Sequence, residues 1–402
     1  MPAKRTLGLA ALLFLLQLTG TWMALHSRLS GETRCLDAEY FHFPMAQALW
    51  EGRGPLQYDG QFCTHQPPGY AVALMLPLAV ARAAGISEVA MSRFVNIGFG
   101  TVAGLAIFAM LRKRTGDRVA GIAAAVTVCL PQFLWLCRNG YNEPLFTALL
   151  LWALVLALGG TRNGKRRPMI AAAVLFAAAT LTRSIGLLVP PIVAFVCVCA
   201  AADRRKAAVN WIGALVIYAL LLAPWVTVVS VKLGRFTPVT SSFVPSHVDG
   251  LAWTQSPGVA ARAAEYFNAH GRTGEAVREF HRLEFARSPF DYVAFWVRKA
   301  LESTYASESR RGQMALGALT IPLLLAGAGA TVWRWRRMAR IQPEITLVIA
   351  IFGYFFVMDT LVWSTVRYLV PVLWVPIALM AWAATSRDSE HPSIGSAISS
   401  TG

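Results

Sequence analysis

Eleven apolar stretches punctuate the chain, at residues 6–26, 67–84, 93–111, 119–137, 145–160, 168–183, 185–202, 208–231, 314–333, 344–363 and 368–385. A helix that crosses the hydrocarbon core of a bilayer needs about 20 mostly apolar residues, and these stretches are of that order. The pattern predicts an all-α polytopic bundle. The first stretch follows Lys4 and Arg5 like a signal peptide. No small-x-small site follows Leu25, so it is expected to stay as an anchor.

Direction comes from the short basic loops, which favour the cytoplasmic side. The clusters are Arg112-Lys113-Arg114 with Arg118, Arg162 with Lys165-Arg166-Arg167, Arg204-Arg205-Lys206, and Arg334, Arg336, Arg337 and Arg340. Together with Lys4 and Arg5 they fall on one side only if 67–84 does not cross. Pro67 and Pro68 suit a helix start and Pro77 interrupts the stretch. The expectation is therefore ten spans, with 67–84 lying in the outer interface or dipping and returning. Both termini are then cytoplasmic.

This topology divides the chain into four parts. Residues 1–231 form a membrane module whose first outer loop is 27–92. Residues 232–313 form a large extracytoplasmic loop. Residues 314–385 supply the last membrane helices, and the Ser- and Gly-rich tail 386–402 is expected to be disordered. From Glu265 to Tyr305 the outer loop mixes aromatic and charged residues at helical spacing, which predicts amphipathic helices on the membrane surface.

Composition strengthens the membrane reading. Of the 402 residues 56% are hydrophobic and only 14% charged, against about a quarter charged in soluble domains. The net charge of +16 resides largely in the loops between apolar stretches, not on one binding face, which argues against nucleic acid. The chain contains no Walker loop, GxGxxG, HExxH or CxxC. Cys129, Cys137, Cys197 and Cys199 fall in or beside apolar stretches and read as packing residues. Cys35 and Cys63 share the first outer loop, either as a disulfide or as two thiols.

Candidate chemistry gathers on the outer face. Asp37 and Glu39 stand just beyond the first span, and Glu143 opens another from the same side. A carboxylate there can take a proton from a hydroxyl or hold a divalent metal. Arg138, Arg183 and Arg367 sit at outer helix ends, against the inward bias, where a guanidinium can bind a lipid phosphate bidentately. His65, Gln66 and Tyr70 surround the start of the 67–84 stretch. His65 and His247 are weak metal candidates.

These pieces, in order, resemble the GT-C superfamily of membrane glycosyltransferases. The resemblance is to bacterial relatives of protein O-mannosyltransferases and aminoarabinose lipid A transferases. It rests on Asp37-Ala38-Glu39-Tyr40 followed by Ala48-Leu49-Trp50-Glu51-Gly52, Gln66-Pro67-Pro68-Gly69-Tyr70, Asn142-Glu143-Pro144-Leu145-Phe146, Leu181-Thr182-Arg183-Ser184-Ile185-Gly186, and Arg367-Tyr368 with Pro371. Gly234-Arg235-Phe236-Thr237-Pro238 is similar to the start of the family's outer loop, and Ser288-Pro289 with Arg298-Lys299 to its return.

The resemblance implies an inverting glycosyltransferase of a plasma (inner) membrane, with its active site outside. The donor would be a sugar on a polyprenyl phosphate, and the acceptor a glycan, lipid or protein. It implies Asp37 as the catalytic acid–base group, assisted by Glu39 and Glu143. It implies Arg367 with Tyr368, then Arg298, Lys299 and Arg183, on the donor phosphate. No cofactor is required, and a divalent metal is possible. A flippase or transporter is the competing class. Ionisable residues crowd the outer ends rather than the midplane, and no halves repeat, which weighs against it. A non-catalytic assembly subunit docking through 232–313 is a third reading.

Overall fold

The structure, a computed structural model, describes residues 3–26, 37–252, 254, 256–306, 310–335, 343–362 and 366–385. Cys35 and the tail 386–402 therefore lie outside the described residues, as do the Arg336, Arg337 and Arg340 positions. Every regular element described is helical. The first half contains α1 (Ala3–His26), a π-helix (Ala38–His42), α2 (Phe43–Trp50), α3 (Gly69–Ala83), α4 (Glu88–Val128), α5 (Pro131–Arg138), α6 (Glu143–Asn163), α7 (Arg166–Thr182), α8 (Val189–Ala200) and α9 (Arg204–Leu233). The second half contains α10 (Phe243–Ala252), α11 (Pro257–His270), α12 (Gly274–Arg287), α13 (Pro289–Tyr305), α14 (Arg310–Trp335), α15 (Pro343–Leu361), α16 (Val366–Leu369) and α17 (Trp374–Thr385).

Among the described residues seven helices are long and apolar enough to cross a membrane: Thr6–His26, Glu88–Val128, Glu143–Asn163, Arg204–Leu233, Gln313–Trp333, Glu344–Leu361 and Arg367–Thr385. The other expected spans are short or interrupted. The 119–137 stretch divides between the end of α4 and α5, because the chain turns at Leu130 just before Pro131. Helix α4 itself breaks at Gly116, whose φ of 77° favours glycine. Residues 168–183 and 185–202 become α7, of 17 residues, and a 3₁₀ turn leading into α8, of 12. Helix α3 has 15 residues and rises about 22 Å, short of a hydrocarbon core of about 30 Å.

Small residues bring the helices together. In membrane proteins a small-xxx-small spacing lets backbones approach closely. Gly100 and Gly104 provide that spacing on α4. A Cβ at Gly100 would meet the Gln17 side chain, and one at Gly104 would lie 3.0 Å from Leu13, both on α1. Gln17 crosses this seam and donates from Nε2 to the Val128 carbonyl at 3.1 Å. At the far end, Glu344 of α15 takes Arg114 of α4 on one oxygen (2.9 Å) and Arg162 of α6 on the other. Two of the predicted basic clusters therefore meet at one carboxylate.

Among the described residues the 232–313 segment forms α10 to α13 before α14 begins, and the Glu265–Tyr305 stretch, whose spacing predicts helices, covers the end of α11 with α12 and α13. Val248, Leu251, Ala263, Phe267, Ala276, Phe280 and Phe295 make its own small core. Arg262 clamps Glu284 with two hydrogen bonds, at 2.7 and 2.5 Å. Helix α13 then packs on α14, α15 and α16, and so carries this unit to the end of the bundle opposite Glu344.

Helix α3 docks through Gly69. A Cβ there would lie 2.6 Å from the Leu181 carbonyl oxygen and 2.8 Å from the Thr182 nitrogen, both backbone atoms at the end of α7. Gly69→Ala should therefore push α3 off α7 and cost about 1–3 kcal/mol. The expected readout is a lower thermal unfolding temperature in detergent, with Val72→Ala on the exposed face of α3 as the near-neutral control.

Candidate active site

Four segments distant in sequence converge at this end of the bundle. Asp37 precedes the π-helix Ala38–His42, a local winding found often at functional positions. Glu143 is the first residue of α6, where a carboxylate suits the positive end of the helix dipole. Arg183 follows α7 in extended backbone. Arg367 lies on the short α16. The turn before α6 is fixed by Gly140 at φ 65° and by Asn142, whose Nδ2 donates to the Thr182 carbonyl at 3.0 Å. That last bond joins the start of α6 to the end of α7.

The charged groups interlock. Arg367 donates from Nη2 to Asp37 Oδ2 and from Nε to Glu143 Oε1, each at 2.6 Å. Arg183 Nη1 lies 2.5 Å from the same Glu143 oxygen. Tyr141 lies against the Arg367 guanidinium, 3.6 Å from Cζ to ring centroid, and Tyr368 lies 4.8 Å from that of Arg183. Two cations and two anions balance, as buried charges require. Glu143 is fully buried, while 31% of the Asp37 side chain remains open. Among the described residues the second oxygen of Glu143 has no hydrogen-bond partner.

Burial alone would raise the Asp37 carboxyl. The charge and hydrogen bond of Arg367 outweigh it and hold Asp37 below the usual carboxylate value. At neutral pH Asp37 is therefore an anion paired with Arg367.

His42, which the sequence did not single out, lies beside this cluster. It is buried, and its ring meets Tyr70 edge-on at 4.9 Å. Its Nδ1 has no hydrogen-bond partner among the described residues. Burial lowers its pKa to about 4, against the pull of Asp37 and Glu143. Tyr70 in turn donates to Asn96 Oδ1 and lies 3.0 Å from the Gly140 carbonyl, so this expected site residue supports the turn from behind.

Other expected site residues stand elsewhere. Glu39 is exposed, outside the ion-pair cluster. His65 is exposed beside Ser241 Oγ at 3.4 Å. Gln66 offers its carbonyl to the Cys63 thiol at 3.8 Å. His247 does not meet His65 but pairs with His281, Nε2 to Nε2 at 2.8 Å. Among the described residues no three His, Cys, Asp or Glu side chains gather as metal ligands. Arg298 reaches Ser256 Oγ at 3.4 Å. Lys299 is buried and donates to the Thr360 and Val362 carbonyls, at 2.7 and 3.2 Å, at the end of α15. Its ammonium serves that helix end, and burial pulls its pKa down to about 8.

This architecture has known counterparts. Residues 65–228 match the dolichyl-phosphate-mannose-protein mannosyltransferase family. The archaeal oligosaccharyltransferase AglB from Archaeoglobus fulgidus, solved with an inhibitory peptide and a dolichol-phosphate, superimposes with a TM-score of 0.60 at 17% identity, over 94% of this chain and 50% of that one. ArnT from Cupriavidus metallidurans, bound to undecaprenyl phosphate, gives 0.56 at 14% identity, over 94% and 60%. The chain shares the fold of these two proteins. It spans half to three-fifths of their length. No curated protein matches it in sequence.

The buried His42 generates a pH prediction. In the fold it stays neutral down to about pH 4, whereas its ordinary value is 6.5. Between those values the unfolded chain binds the extra proton, so stability falls as pH drops from 6.5 toward 4. The full interval corresponds to about 3 kcal/mol. His42→Gln should flatten this part of the pH dependence of thermal unfolding relative to wild type.

Proposed function

We propose that this protein is an inverting glycosyltransferase. It would move a sugar from a polyprenyl-phosphate donor to an acceptor hydroxyl or phosphate on the extracytoplasmic face of a plasma membrane. The observation that carries the reading is the Arg367 guanidinium shared between Asp37 and Glu143, at the end of the bundle away from the basic loops. Support comes from the family match over 65–228 and from the fold shared with two proteins solved with polyprenyl phosphates.

The donor is already activated, because a sugar phosphate diester carries a good leaving group. The acceptor hydroxyl attacks the anomeric carbon from the face opposite the phosphate. The carbon–oxygen bond to phosphate breaks, and the phosphate leaves with that electron pair. Asp37 takes the hydroxyl proton. Arg367 and Arg183 meet the charge that grows on the phosphate, the preorganised electrostatic term that is usually largest in such reactions. An arriving phosphate competes with Asp37 for Arg367, which frees the carboxylate as the donor binds.

Glu143 acts as a positioning residue in this scheme, since it is fully buried and holds both arginines at one oxygen. A divalent metal, the option left open by the two carboxylates, would be held by Asp37 and Glu143. In the structure Arg367 stands between them and supplies the positive charge there. Lys299 has no part in the phosphate site, because its ammonium is committed to the end of α15.

The test is mass spectrometry of envelope lipids and glycans from cells carrying wild type, Asp37→Asn or no copy, with membrane insertion verified for each. A product should appear with wild type and fall about 10²-fold or more with Asp37→Asn, the range for loss of a general base. Near-wild-type product from Asp37→Asn overturns the assignment.

A further inference from the structure

A cavity of about 420 Å³ opens at the other end of the bundle, between the ends of α6, α7, α8 and α9. Such a volume lies within the range of small-molecule sites, roughly 300–1,000 Å³. Its lining mixes two chemistries. Leu158, Met169, Val196 and Ala200 are apolar, and Arg162, Lys206 and Asn210 are polar. A ligand that matches both carries an anion and hydrocarbon.

Charge decides the sign of the ligand's polar group. The cavity's own carboxylates are engaged: Glu344 by Arg114 and Arg162, and Asp203 by the Lys206 backbone nitrogen at 2.9 Å. The Lys206 ammonium makes no ion pair among the described residues. The two loops that supply cavity residues also carry Lys165, Arg166, Arg167, Arg204 and Arg205, with Asp203 their one acid. Basic pockets between membrane helices on the cytoplasmic side suit anionic lipid headgroups, and the basic loops place this cavity on that side by the charge rule.

We propose that this cavity binds one anionic phospholipid of the cytoplasmic leaflet. The headgroup phosphate meets Lys206 and Arg162, and the start of an acyl chain lies along Leu158, Met169 and Val196. The site stands at the opposite end of α6 from Glu143, and is independent of the transfer chemistry.

Purified full-length protein in neutral detergent, supplied with equal phosphatidylglycerol and phosphatidylcholine, provides the test by native mass spectrometry and thermal unfolding. Wild type should retain phosphatidylglycerol about five-fold or more over phosphatidylcholine, the scale of one basic residue on an anionic headgroup, and unfold at a higher temperature with it. Lys206→Glu should abolish the preference, and Ala200→Trp, which fills cavity space, should lower retention of both lipids. Arg118→Glu, equally basic but outside the cavity, should leave the preference intact. Equal retention of the two lipids by wild type, or equal loss from Lys206→Glu and Arg118→Glu, overturns the proposal. An equal thermal shift from sn-glycerol 3-phosphate overturns the lipid assignment in favour of a soluble phosphate ester.

Discussion

A guanidinium held between two carboxylates cannot be assembled piecemeal. Arg367 bonds to Asp37 across 330 residues of chain and to Glu143 across 224. Each charge is costly in a low-dielectric setting unless its partners are present, and removing one member leaves the others uncompensated. Asp37 with the π-helix after it, the start of α6, the end of α7 and the short α16 must therefore close on one another together. Much of the surrounding geometry serves that closure. Asn142 joins α6 to α7, Tyr70 holds the Gly140 turn, and Gly69 lets α3 reach the α7 backbone that Arg183 follows. The helical unit of α10 to α13 arrives at the same place through α13 on α16.

The fold was legible wherever apolar length and loop charge carry the information. The meeting of Arg114 and Arg162 at Glu344 agrees with two basic clusters lying on one side. The breaks were less legible. Hydropathy averages over a window and is blind to backbone angle, so the turn at Leu130–Pro131 vanished inside an apolar stretch. Gly116 was hidden in the same way, within a loop of high charge that merely looked polar. The short α7 and α8 show that an apolar stretch of span length does not require one continuous helix of that length.

In the site, Asp37, Glu143, Arg183 and Arg367 were legible because charges at the outer ends of apolar helices are few, and topology alone groups them. Their pairing was not, since no spacing rule links positions so far apart. His42 escaped for a local reason: five residues beyond Asp37 is the wrong offset for an α-helical face, and only the π-turn brings it alongside. Lys299 shows the opposite limit. A basic residue in a stretch expected to face a phosphate reads as its ligand, but the carbonyls that end a helix can take the same ammonium, and sequence does not show which helix end lies nearby.

On the proposed chemistry, the arrangement of these charges has a consequence of its own. Asp37, Glu143, Arg183 and Arg367 sum to zero, and a sugar phosphodiester adds one negative charge. In the reaction Asp37 gains a proton and becomes neutral, while the departing phosphate gains a second negative charge. The total in the site is unchanged. Charge moves from the carboxylate to the phosphate, and Arg367, which Asp37 holds before the donor binds, is the cation that the phosphate then meets. A guanidinium fixed by Glu143 and by the Tyr141 ring stays in place while Asp37 gives way to the phosphate. Preorganisation of this kind is where electrostatic catalysis in a dry site draws its strength. It also explains why a fully buried Glu143, itself untouched by the reaction, would be kept at the start of α6.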